Sequence, residues 1–224
     1  MCKQLLLITA FLATASLSFG QHRWHIKPTA EEIAFRQQHP KPIPPSNRKP
    51  TASTYTMPSG ARIPGEFEES QAVAFSWVYS YDGQVNHLDV ESEYADLWAE
   101  MADAIQKEVP VWIRIENAAD SNAIKSFMAA KGTPLVSYRF FLTVGDDFWM
   151  RDYGPIGFYY GNNDDIGFLD LKYYPGRDLD NLFPSYLANQ LGYLDVQTNL
   201  YAEGGNFISD RLSRSFHSNV VEDV

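Results

Sequence analysis

Apolar residues in this chain alternate between two spacings, one suited to strands and one to helices, and that alternation restricts the fold more than any other property of the sequence. Gln71-Ala72-Val73-Ala74-Phe75-Ser76-Trp77-Val78 is a short, nearly continuous apolar run that reads as a buried strand. From about Asp89 to Lys107, Val90, Tyr94, Leu97, Met101 and Ile105 recur at steps of three and four, an apolar stripe along a helix. Val109, Val111, Ile113 and Ile115 then alternate, the pattern of a strand with one apolar face. A second helix is predicted from Asp120 as N-cap, burying Ile124, Phe127 and Met128 and stopping at Gly132 with Pro134 behind it. Leu135 to Leu142 reads as the next strand.

The second half continues in the same manner. Ile156–Tyr160 and Ile166–Tyr174 flank Gly161-Asn162-Asn163-Asp164-Asp165, a hairpin signal. Leu182–Leu191 is helical in pattern, with Pro184 forcing a late start and Gly192 at the end, and Leu194–Leu200 is a further strand. It leads into Glu203-Gly204-Gly205-Asn206-Phe207, where the glycine pair permits close backbone approach. The order of elements places the chain in the α/β or α+β class. Periodicity does not decide between a doubly wound sheet and a ring of small α/β modules.

The first twenty residues have the form of a secretory signal: Lys3, an apolar run from Leu5 to Leu17, then Ser18-Phe19-Gly20. Residues 21–56 form a leader. Thr29 and Glu32 have the spacing of a capping box for a short helix over Glu31–Gln38, and prolines 40, 42, 44, 45 and 50 extend the linker that follows. The folded region is expected over 57–224, exported and free of the membrane once the signal is removed. The one cysteine, Cys2, lies within the signal, which leaves a processed chain without disulfides, cysteine-ligated metal or a cysteine nucleophile. The 28 acidic residues against 18 basic ones give a net charge of −10, or −11 without Lys3. That balance points away from nucleic acid and anionic lipid as partners.

Between two of the predicted strands lies Gly145-Asp146-Asp147-Phe148-Trp149-Met150-Arg151-Asp152-Tyr153-Gly154-Pro155, a concentration of carboxylates and aromatics where site residues often sit. A carboxylate beside an aromatic face suits a planar cation, because its two oxygens accept a forked pair of N–H bonds and the ring offers a cation–π surface. Arg151 has three readings: a turn ion pair with Asp152, an orienting partner for one of the acids, or a contact to an anionic part of the ligand. The bland alternative makes Trp149 a core residue.

Three stretches together resemble the agmatine deiminase and bacterial peptidylarginine deiminase family. Ile63-Pro64-Gly65-Glu66-Phe67-Glu68-Glu69-Ser70-Gln71-Ala72-Val73 is similar to its opening segment, Asp146–Pro155 to its substrate-binding signature, and Glu203–Phe207 to its Gly-Gly segment. The resemblance implies a pentein fold, a five-part α/β propeller of which this chain would form about two ββαβ-type modules and the start of a third. It implies hydrolysis of a guanidinium to a ureido group and ammonia, without metal or cofactor. By that likeness Asp152 is the guanidinium-gripping carboxylate of the catalytic site and Trp149 its aromatic wall, with Arg151 preceding the acid. Asp147 is placed behind them, bonding N–H groups of the turn. Gly204, Gly205 and Asn206 line the pocket, Asn206 serving equally as an αL turn residue. Arg177 sits where the protein deiminases hold a substrate carboxylate, a surface arginine being the alternative.

The family's catalytic histidine with its nearby acid, and its late cysteine, are not matched in this sequence. His217 has no acid two residues on. The expectation is therefore a shortened, inactive deiminase or, alternatively, an exported protein that binds guanidinium without turnover, its ligand a small molecule or a peptide. Export, the proline-rich leader and the tyrosine after Asp152 favour peptidyl- or free arginine over agmatine. A third reading makes Asp146, Asp147, Asp164 and Asp165 calcium ligands, although they lack a complete ligand series.

Overall fold

Parallel pairing of the first three strands accounts for the helices between them. The computed structural model describes residues 30, 34, 37, 38, 56–77, 87–173, 176–212 and 215–217. β1 (Val73–Ser76), β2 (Val111–Ile115) and β3 (Tyr138–Leu142) lie side by side in that order, all parallel. The crossovers run through α1 (His87–Ile105) and α2 (Ala118–Ala130). As the central strand, β2 is covered on both faces, so the expectation of one apolar face is corrected: Arg114 is buried as deeply as Val111 and Ile113.

Two further expectations shift. α2 is capped by Asn117, whose side chain accepts from the backbone N–H of Ala119 and Asp120, while Asp120 returns a bond to the Asn117 N–H at 3.0 Å. Asp120 therefore completes a capping box and is not the cap itself. On α1 the face in the core is Ala95, Trp98, Ala99 and Ala102, whereas Leu97 and Met101 are exposed. Alanines let the helix approach the sheet closely, and a stripe traced through large side chains alone misses that rotation.

The chain next forms a single turn, α3 (Met150–Tyr153), and a second sheet of β4 (Ile156–Tyr160), β5 (Asp165–Lys172) and β6 (Leu194–Tyr201). β4 and β5 make the predicted hairpin, with Gly161 and Asp164 at positive φ in its turn. β6 joins β5 in parallel after a 3-10 turn, Asp180–Leu182, and α4 (Phe183–Leu191), which carries Pro184 in its first turn and ends at Gly192 in the left-handed region. β7 (Phe207–Ser209) and β8 (Ser215–His217) pair antiparallel. Residue Arg62 bridges to Tyr159 of β4, tying the opening segment to the second sheet.

A first core packs α1 and α2 against the first sheet, and a second core joins the two halves. Phe141 of β3 packs with Met150 and Tyr153 of α3 and with Phe168, Phe183 and Leu187 of the second half. α3 is thereby clamped between the sheets. The signal segment and the proline-rich linker lie outside the described residues, as does most of the leader, of which residues 30, 34, 37 and 38 are helical.

Candidate functional site

The turn before α3 is built on a buried ion pair. Arg114 of β2 donates to Asp180 at 2.9 Å, both side chains being excluded from solvent. The same Asp180 oxygen accepts the N–H of Asp146 at 3.0 Å and of Asp147 at 3.4 Å, and Asp146 in return accepts the Leu179 N–H at 2.9 Å. Arg114 also donates to the carbonyls of Thr143 and Asp147, lies over the rings of Tyr153 and Phe183, and bonds the Tyr153 hydroxyl, which Ser76 meets from β1. Burial works against the guanidinium charge, yet Tyr153 and Asp180 outweigh it and hold Arg114 protonated. Gly145 is required here because a Cβ at that position would coincide with the Arg114 guanidinium.

Asp147 accepts the N–H of Phe148 at 2.6 Å and of Trp149 at 3.2 Å, which opens the α3 turn. Its other oxygen lies 3.6 Å from Arg177. Arg177 is only 1% exposed, which overturns the surface-arginine alternative and directs its guanidinium at Asp147 in the interior. Asp146 and Asp147 are thus buried in the loop lattice, while Asp164 and Asp165 are exposed in the β4–β5 turn. The four acids of the calcium reading do not converge. Among the described residues no group of three or more histidine, cysteine or acidic side chains is placed to hold a metal.

Asp152 is half-buried and faces the glycine pair. A Cβ on Gly204 would strike the Arg151 carbonyl, and one on Gly205 would strike Asp152 Oδ1, so both glycines are explained by close approach rather than by positive φ. Burial, together with Glu203 and Asp147, pushes the pKa of this carboxyl up to about 6 against the lowering effects of Arg151 and of a bond from the Gly205 N–H. Asn206 donates to Glu203 at 2.8 Å and stands in a 3-10 turn with negative φ, which corrects the αL alternative. Trp149 is half-buried and stacks on Phe148 with ring centroids 4.5 Å apart; Phe148 continues to Tyr94 and Trp98 of the first core. The indole is therefore the outer layer of an aromatic ladder.

Arg151 pairs with Glu66 at 2.8 Å and donates to the Phe207 carbonyl at 3.1 Å, so the turn ion pair with Asp152 is replaced by a link to the opening segment. It lines a cleft of about 560 Å³ together with Glu66, Glu69, Trp112, Tyr159 and Tyr193. Asp152 and Trp149 lie off that cleft. The structure thus gathers Asp147, Trp149, Asp152, Gly204 and Gly205 around one turn, with Arg177 against Asp147 and the Arg151 guanidinium on Glu66 and the Phe207 carbonyl. Sequence reading passed over Arg114, Asp180 and Glu203. A charged residue at the centre of an apolar strand was the available signal for Arg114.

Fold and site together define a mixed α/β protein with an acidic, aromatic-walled turn clamped between two small sheets. Residues 62–213 match the Porphyromonas-type peptidyl-arginine deiminase family, and the chain belongs to that family. Among solved structures, agmatine deiminase of C. jejuni aligns with a TM-score of 0.58 and 18% identity, covering 71% of this chain and 46% of that one. A second C. jejuni agmatine deiminase structure, with substrate bound, aligns with a TM-score of 0.55 and 18% identity over 69% and 44%. The Enterococcus faecalis agmatine deiminase gives 0.54 and 20% over 70% and 43%. The chain spans less than half the length of these structures, and at such identities the likeness bears on fold.

Proposed function

We propose that this chain carries the guanidinium-gripping side of a deiminase site. The supporting observation is the condition of Asp152. Its carboxylate is half-buried among Glu203 and Asp147 with its pKa raised to about 6, and Arg151 beside it is committed to Glu66. A bound guanidinium would add positive charge to what Arg151 supplies, present two N–H donors to the two oxygens, and lay its face along Trp149. In the corresponding reaction a thiolate attacks the guanidinium carbon, a histidine moves the protons, and water releases a ureido product after ammonia has left. Cys2 is the one cysteine in this sequence, so binding without cysteine-dependent turnover is the behaviour expected of the polypeptide itself.

The proposal extends to architecture and address. β4, β5, α4 and β6 follow one another as a ββαβ unit and β7–β8 opens another, which supports a reading as part of a pentein propeller. Residues 1–20 direct export. The preference for arginine or peptidylarginine over agmatine rests on the export signal and the proline-rich leader, because Tyr153 is buried and lends it no support. Titration calorimetry of the purified chain with arginine, agmatine and a short arginine peptide tests the reading, with Asp152→Ala as comparison. Saturable binding that Asp152→Ala abolishes is expected; equal heats from both proteins would overturn the assignment.

A further inference from the structure

We propose that Arg114, Asp180 and Tyr153 form a positioning device that fixes the Trp149-to-Asp152 turn for its ligand. This rests on the guanidinium-binding reading of that turn. The argument begins with where the chain is held. Asp147 is pinned at its N–H by Asp180 and at its carbonyl by Arg114 and the Tyr153 hydroxyl. Tyr153 is pinned at its hydroxyl by Arg114 and Ser76, and its ring packs edge-on against Phe183 at 6.0 Å. Phe148 to Asp152 are the residues suspended between those two anchors, and both proposed ligand-contacting side chains, Trp149 and Asp152, are among them.

The anchors converge on a single guanidinium. Arg114 meets the Asp180 carboxylate, the Tyr153 hydroxyl and the Asp147 carbonyl through Nη1 and the Thr143 carbonyl through Nε, so two nitrogens of one side chain tie four groups together. A lysine keeps the charge but has no second nitrogen to hold the Thr143 carbonyl while its ammonium meets the other three. Asp180 in turn laces the segment after β5 to the turn after β3 through the reciprocal Asp146 and Leu179 bonds. The spacing between Trp149 and Asp152 is thus set from beneath by groups that touch no ligand, and positional errors there translate directly into lost complementarity.

The test compares Arg114→Lys and Tyr153→Phe with the unaltered full chain by two measurements. Hydrogen exchange without ligand is expected to show protection lost at residues 148–152 while the β4–β5 hairpin keeps its own. Titration with arginine and agmatine, at a temperature where circular dichroism shows each variant folded, is expected to show affinity reduced about tenfold or more. Asp180→Asn, which retains an acceptor for the two N–H groups and Arg114, should recover much of the affinity lost in Asp180→Ala. Should Arg114→Lys fail to fold, Tyr153→Phe carries the test, because it removes one hydroxyl and keeps the ring. Unchanged exchange at 148–152 in a folded variant would overturn the positioning role. Absence of binding by the unaltered chain would instead overturn the functional reading, and the exchange result would still decide this one.

Discussion

Gly205→Ala separates the site from the scaffold. A Cβ built on Gly205 falls inside contact distance of Asp152 Oδ1, an atom at the free end of a side chain, so the carboxylate can swing away without moving backbone. Restoring ordinary contact takes a retreat of about 1 Å. For a guanidinium–carboxylate pair in an effective dielectric of roughly 20, moving from about 4 to 5 Å costs nearly 1 kcal/mol. Spoiling the charge-assisted fork adds about 1–2 kcal/mol, and the sum corresponds to a fall in affinity of roughly 30- to 150-fold. Stability should barely change, because the Gly205 φ is negative and alanine there restricts the unfolded chain, worth up to about 1 kcal/mol in favour of folding. Gly204→Ala provides the contrast: its Cβ would meet the Arg151 carbonyl, a backbone atom, and is expected to destabilise by about 1–3 kcal/mol. Calorimetric titration with arginine and agmatine, alongside thermal unfolding of the same preparations, reads both effects. A Gly205→Ala chain that binds within twofold of the parent would refute the placement of the ligand on Asp152.

Binding should also depend on pH through Asp152, whose pKa lies at about 6: near pH 5 only about a tenth of the carboxylate is ionised, so affinity for arginine is expected to fall roughly tenfold from its plateau above pH 7, read by titration across that range. Asp152→Asn should abolish binding yet raise the melting temperature at pH 7–8. A carboxyl raised from its ordinary 3.8 contributes stability below that value and loses it as pH rises through 6, and the amide removes a penalty on the order of 1 kcal/mol after allowance for its partial exposure. Gly145→Ala places a methyl on the Arg114 guanidinium and is expected to destabilise by about 3 kcal/mol or more, measured by urea unfolding, since any retreat of the guanidinium breaks its buried pair with Asp180. Asn117→Ala removes the cap of α2 and should cost about 1 kcal/mol in the same assay without affecting ligand titration.

The spacing of apolar residues carried most of the fold because burial in each element follows its own period. The β4–β5 hairpin was legible from Gly161 to Asp165, whose composition matches the turn that forms. Legibility failed where small or charged residues do structural work. Ala95, Ala99 and Ala102 make the buried face of α1, and alanine carries too little apolar surface to register beside Leu97 and Met101. Asn117 and Asp120 are equally good caps in isolation, and only the backbone shows which one leads. At the candidate site, Asp147, Trp149 and Asp152 stand out in the sequence because they occupy one turn. Arg114 and Asp180 stand 66 positions apart, and no local pattern reports a pair that closes only in the folded chain.

The proposed division of ligand and scaffold functions between different residues rests on a contrast among the carboxylates. Asp180 meets Arg114 and two backbone N–H groups; Asp147 meets Arg177 and two more; Asp120 is absorbed into a helix cap. Burial raises the pKa of all three, that of Asp180 to about 7, but each bonds backbone N–H groups or an arginine of the scaffold, and disturbing it should be felt first as lost stability. Asp152 is arranged otherwise. It has one bond from Gly205, two acids as near neighbours, and an adjacent arginine whose guanidinium bonds Glu66 and offsets the two acids only in part. A carboxylate kept partly dehydrated and short of positive charge is destabilised until a cation arrives. In the structure that shortage lies beside an exposed edge of an aromatic ladder, on a turn clamped from below, and a planar guanidinium meets all three conditions at once.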